Sequence, residues 1–178
     1  IATRPTQRPT NRVQSCGSRT STARYRSTGS SDSGGSVAGN RTSAPVTAAT
    51  GMDALTHAVE AFVGQWATAQ SDRMALAAVS LIFANLRKAY RNGSDLAARE
   101  QMALAATYGG LAFTRANVGY VHATAHQLGG KYHVPHGLAN AILLPRVLAF
   151  LQPAIVAKLA VLAVRAGVGR PGERAATL

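Results

Sequence analysis

Residues 122–136 read HATAHQLGGKYHVPH, and four of the chain's five histidines fall within them. His122 and His126 are four apart, so on a helix they share a face. The pair Gly129-Gly130 stops such a helix, and the loop KYHVPHG, with its Val-Pro step, lets the chain turn back. The stretch therefore reads as helix, loop, helix. Outward from it, apolar residues recur at helical spacing from Ser43 almost to the end.

A first helix is predicted over 50–63, TGMDALTHAVEAFV, with Thr50 as its cap. A second starts at Ser71, an N-cap residue followed by Asp72 in the first turn, and ends at Asn92-Gly93. A third starts at Ser94 or Asp95, and a fourth carries VGYVHATAHQLGG. A fifth, GLANAILLPRVLAFL, is bent or broken at Pro145. A sixth begins with Pro153 in a first-turn position. No stretch alternates as a strand does. Short connections between amphipathic helices give an all-α fold, an antiparallel helical bundle.

The bulk composition agrees. The chain has 178 residues, of which 47% are hydrophobic and 15% charged, as in a globular domain. Its single cysteine, Cys16, excludes a disulfide framework and a cysteine zinc site. No segment looks like a signal peptide, and no apolar run reaches the roughly 18 residues of a membrane span. A cytoplasmic protein without a membrane partner is expected.

The formal charge of +12 is unevenly spread. Residues 1–42 hold seven arginines, no lysine and one acid, Asp32, in a background of Ser, Thr, Gly and Pro. Such a segment cannot bury enough surface to offset its ordering entropy, so coil is expected. A basic arm for nucleic acid is a weaker reading, because the arginines do not cluster beyond RYR and Tyr25 is the one aromatic. The same composition arises when a GC-rich gene is read out of frame, and a frameshift near residues 40–44 is an alternative that the underlying DNA tests. Residues 43–178 are expected to form the second region, a helical domain that is incomplete.

Two polar clusters interrupt the apolar helices. His122 and His126 have the spacing of two metal ligands on one helix, or of core histidines bonded to carbonyls. His136 follows across the glycine turn, whereas His133 is expected to face solvent. On the first helix Asp53 and His57 are also four apart, among apolar neighbours. A buried carboxylate is costly unless paired or bound to a cation. Glu60 lies off that face and is expected in a surface or inter-helix contact. One carboxylate and up to three imidazoles, with no thiolate, suit Fe(II), Zn(II), Mn(II) or Co(II).

The stretches TAATGMDALTHAVEAF and GYVHATAHQLGGKYHVPHGLANAILLP resemble the iron-containing, or group III, alcohol dehydrogenases over about residues 43–170. The resemblance implies a helical domain like the C-terminal domain of dehydroquinate synthase. It implies a fragment that lacks the dinucleotide-binding domain and is inactive alone. It assigns the metal ligands to Asp53, His57, His122 and His136. It makes His126 a neighbour of the metal on the nicotinamide side, with a catalytic or cofactor-binding role, and puts Phe113 on the substrate-pocket wall. Implied cofactors are Fe(II), with Zn(II) as an alternative, and NAD or NADP. The implied reaction interconverts a primary alcohol and an aldehyde with hydride transfer to or from the cofactor, in a parent expected to be a homo-oligomer without nucleic-acid partners. A zinc polyol dehydrogenase on the same scaffold is the alternative, and a basic-tailed nucleic-acid-binding helical protein the more distant one.

Overall fold

The computed structural model describes residues 43–170. The coil or out-of-frame segment expected at 1–42 lies outside the described residues. Five helices run in order: α1 (Ala44–Val63), α2 (Ala69–Arg91), α3 (Leu96–Ala116), α4 (Tyr120–Tyr132) and α5 (His136–Arg165). No strand occurs among the described residues.

The helix starts follow local chemistry, with shifts from the predicted positions. α1 begins before Thr50, with Pro45 in its first turn, where no backbone N–H is needed. Thr50 sits inside the helix, and its hydroxyl donates to the Val46 carbonyl at 2.9 Å. α2 is capped by Thr68, not Ser71. The two residues form a capping box in which the Ser71 N–H donates to Thr68 Oγ1 at 3.2 Å and the Thr68 N–H donates to Ser71 Oγ at 2.8 Å. Ser71 therefore caps as the third helical residue. Asp95 caps α3, its carboxylate accepting from the Ala98 N–H at 2.9 Å.

The helix ends differ more. The glycines at 129–130 stay helical, and α4 stops at His133, which takes the left-handed conformation with φ 55°. His136 opens α5 and is not a loop residue. The predicted fifth and sixth helices follow one another within α5, joined across a kink at Ile155. The chain passes Pro145 helically and leaves helical geometry only at Ile155 (φ −124°, ψ 16°), two residues after Pro153. By length and composition α5 is long and apolar enough to cross a membrane, contrary to the expectation of no such run. It also carries Arg146 and Lys158, and it packs against α1, α2 and α4.

α1 is the centre of the bundle and touches the other four helices. Its Ala54, Ala58 and Ala61 are buried with Leu55, Val59 and Phe62. They meet Ala75, Ala78, Val79 and Ile82 of α2, and Ala105, Ala112 and Ala116 of α3. Small side chains let the helix axes approach closely, and the larger ones fill the remaining space. Each fully buried Val or Ile contributes about 1.5–3 kcal/mol.

Two contacts fix α5 on α1. Lys158 Nζ donates to the Phe62 carbonyl at 2.7 Å, satisfying an orphan acceptor at the negative end of α1. At the other end, Gly137 lies against α1 so tightly that a Cβ would stand 2.1 Å from the Ala49 carbonyl oxygen. That contact is one residue from His136, so it sets where His136 lies relative to Asp53.

Candidate metal centre

Three helices bring the two sequence clusters together. α1 carries Asp53 and His57 one turn apart, α4 carries His122 in its first turn, and α5 carries His136 as its first residue. Asp53 Oδ1 lies 3.3 Å from both His122 Nε2 and His136 Nε2. These three atoms all fall within 4.8 Å of one another. His57 stands beside them, with Nε2 3.9 Å from the same carboxylate oxygen. Its ring is stacked between Phe113, at 4.3 Å, and His122, at 4.5 Å and 9° from parallel.

His126 lies one turn beyond His122 on α4 and is exposed. Its ring is 5.2 Å from that of His136 and 6.0 Å, edge-on, from that of His122. It borders the cluster without joining it. His133 is exposed and caps the C-terminal end of α4. The helical pair at 122 and 126 thus splits: one histidine points into the cluster and the other lies on its rim.

The site is closed behind and open in front. The His122 side chain is 2% exposed, whereas Asp53 is 27% and His136 40% exposed. A ligand can therefore approach from the Asp53–His136 side.

Two further residues belong to the site and were not read as such from the sequence. Glu60, expected in a surface or inter-helix contact, makes the inter-helix one: buried on α1, it accepts from His122 Nδ1 of α4 at 2.7 Å. Asn140 is fully buried one turn after His136. Its Nδ2 donates to Asp53 Oδ1 at 2.7 Å and lies 3.2 Å from His122 Nε2 and 3.1 Å from His136 Nε2. Its Oδ1 is buried without a hydrogen-bond partner among the described residues. The i, i+4 spacing from His136 was the signal for Asn140. For Glu60 it was the presence of an acid in an otherwise apolar helix.

The electrostatics follow from this geometry. Burial alone would raise the Asp53 pKa, but the hydrogen bond from His122, the nearby His57 and His136, and the Asn140 amide together lower it. Glu60 behaves alike: burial raises its pKa, while His122 and the backbone N–H groups of Gly119 and Val121 bring it below the ordinary value. Burial lowers the His57 pKa more than Asp53 raises it. Burial also disfavours His122 protonation, yet hydrogen bonds to Asp53 and Glu60 and the charges of both push its pKa up to about 9. One carboxylate oxygen and two ring nitrogens within 4.8 Å of one another, with His57 Nε2 3.9 Å from that oxygen, are donors of a type that suits a divalent Fe or Zn ion.

A bundle of five helices with this cluster at the junction of α1, α4 and α5 defines an all-α domain with a candidate metal centre. Residues 47–177 match the family model of the Fe-containing alcohol dehydrogenases, C-terminal region, and the chain belongs to that family. It is 61% identical over 104 residues to 1,3-propanediol dehydrogenase of Citrobacter freundii, covering 58% of this chain and 27% of that protein. The crystal structure of a 1,3-propanediol oxidoreductase superposes with a TM-score of 0.73 at 51% identity, over 75% of this chain and 35% of that one. An iron-containing alcohol dehydrogenase from Thermotoga maritima superposes with a TM-score of 0.67 at 30% identity, over 72% of this chain and 35% of that one. The chain spans about a quarter to a third of the length of these relatives.

Proposed function

We propose that this chain supplies the metal-binding part of an NAD(P)-dependent alcohol dehydrogenase, which interconverts a primary alcohol and an aldehyde. The observation that carries the reading is the convergence of Asp53 Oδ1, His122 Nε2 and His136 Nε2 within 4.8 Å in a chain of this family. Asp53, His57, His122 and His136 would hold the ion, Fe(II) by family and Zn(II) by equal ligand chemistry. When bound, the ion supplies Lewis-acid polarisation of the alcohol oxygen.

The protein's own groups do the rest. Asp53 brings the negative charge, and the half-buried His57 offers a further ring nitrogen. Phe113 stacks on His57 and presents an apolar wall for the carbon chain of the alcohol. His126, on the exposed rim, can pass a proton or steady the nicotinamide ring. NAD or NADP would be held by a glycine-rich dinucleotide motif, which this sequence does not contain. The same reading gives a cytoplasmic homo-oligomer acting on small alcohols, with neither nucleic acid nor membrane as partner. The similarity to 1,3-propanediol dehydrogenase makes a short diol the first substrate to try.

The test joins this chain to the dinucleotide-binding part of such a relative and loads it with Fe(II). Reduction of NAD⁺ by 1,3-propanediol or another primary alcohol is the expected result. A folded, metal-loaded protein that turns over no alcohol or aldehyde with either cofactor overturns the reading. His126→Ala in the same protein should lower turnover while metal content stays intact.

A further inference from the structure

Glu60 is 5% exposed and supplies no donor to the cluster. A buried carboxylate needs partners, and both of its oxygens have them. Oε1 accepts from the Val121 N–H at 2.7 Å. Oε2 accepts from His122 Nδ1 at 2.7 Å and, at 3.4 Å, from the His122 backbone N–H.

These N–H groups are the first of α4, whose own N-cap, Gly119, has no side chain to satisfy them. A Cβ at Gly119 would stand 2.9 Å from Glu60 Oε1. The cap is therefore supplied by a different helix, one turn past His57, at the positive end of α4. The same carboxylate takes the outer nitrogen of His122. With Nδ1–H committed to Oε2, only Nε2 is left for the cluster, where it lies 3.3 Å from Asp53 Oδ1.

We propose that Glu60 is the positioning residue of the metal centre. It caps α4 from α1 and engages Nδ1 of His122, so that Nε2 is the nitrogen turned toward Asp53 and His136. The proposal rests on the metal-centre reading above and adds a residue outside the ligand set. Partners of this kind orient a ligand and raise its basicity, and losing them costs about 10–100-fold in metal affinity.

The experiment uses the whole chain with Zn²⁺ alone as the probe. In a long-range nitrogen–proton correlation spectrum of the loaded chain, His122 should show Nε2 bound and Nδ1 protonated, its proton strongly downfield. Glu60→Gln keeps the shape but loses the charge. It should lower Zn²⁺ affinity about 10–100-fold and move the Nδ1 proton upfield, with helix content unchanged by circular dichroism. A packing control, Ile82→Val, should move neither readout. A folded Glu60→Gln with affinity within about twofold of the unaltered chain overturns the proposal and leaves the metal-centre reading standing. If that variant does not fold, the spectrum of the unaltered chain decides, and His122 bound through Nδ1 overturns the proposal. Failure of the unaltered chain to bind Zn²⁺ overturns the metal-centre reading, and this proposal with it.

Discussion

At the scale of single residues, the site depends on donors that are not themselves ligands. Asn140 is the clearest case, since its amide gives Asp53 Oδ1 a 2.7 Å hydrogen bond from the floor of the cluster. Asn140→Ala removes that donor and leaves the carboxylate free to rotate. Zn²⁺ affinity, read by calorimetry, should fall about 10–100-fold. Asp53→Asn should cost more than that, because it removes the charge from the ligand set. His126→Ala should leave affinity almost unchanged, since His126 makes no hydrogen bond to Asp53. An Asn140→Ala chain that binds Zn²⁺ as tightly as the unaltered one would show that Asp53 is positioned without the Asn140 amide.

At the scale of elements, the key contact is between α1 and α5. Gly137→Ala would place a methyl carbon 2.1 Å from the Ala49 carbonyl oxygen, and neither backbone can yield without moving its helix. A loss of roughly 1–3 kcal/mol is expected in urea denaturation, together with weakened metal binding through displacement of His136. Gly51→Ala is the contrast. Its new methyl would meet the end of the Leu86 side chain, which can rotate away, so a smaller loss is expected. This scale also shows what was legible in the sequence. Helix existence followed from apolar spacing alone, but the cap of α3 was readable only as Ser94 or Asp95, and the fold selects Asp95. The start of α2 was misplaced at Ser71 because a capping box divides its work between two residues, and either one reads as the cap. The run through Pro145 was unreadable because tertiary packing, not local preference, keeps α5 helical there. Asp53, His57, His122, His126 and His136 stood out by type and spacing, and only the family resemblance set His126 apart from the other four. Glu60 and Asn140 did not, because their roles depend on which helix ends meet, and that is decided only by the fold.

At the scale of the whole molecule, the cluster ties stability to pH. His122 has a folded-state pKa near 9, above its ordinary 6.5. Its stabilising contribution is therefore fully present below pH 6.5 and lost as the pH rises through about 9. Asp53 and Glu60, lowered, contribute above the usual carboxylate range and lose that contribution as the pH falls through their depressed values. The metal-free chain should thus show a falling melting temperature between about pH 7 and about pH 10, and His122→Phe should flatten this limb. The same proton must leave before Nε2 can bind a cation. Zn²⁺ affinity should therefore rise with pH toward about 9, with proton release measurable by calorimetry in buffers of different ionisation heat. A pH-independent affinity over that range would contradict the placement of His122 between two carboxylates.

The carboxylate that spans from α1 to α4 has a consequence for exchange with solvent. The opening turn of a helix ordinarily trades its amide hydrogens first, because nothing inside the helix accepts them. Here the amides of Val121 and His122 end on Glu60 in the interior. Their deuterium uptake should be slow, and it should quicken only when α1 and α4 separate. The slowest-exchanging part of α4 would then be its beginning, and its lifetime a direct clock for the opening of the bundle at the metal centre.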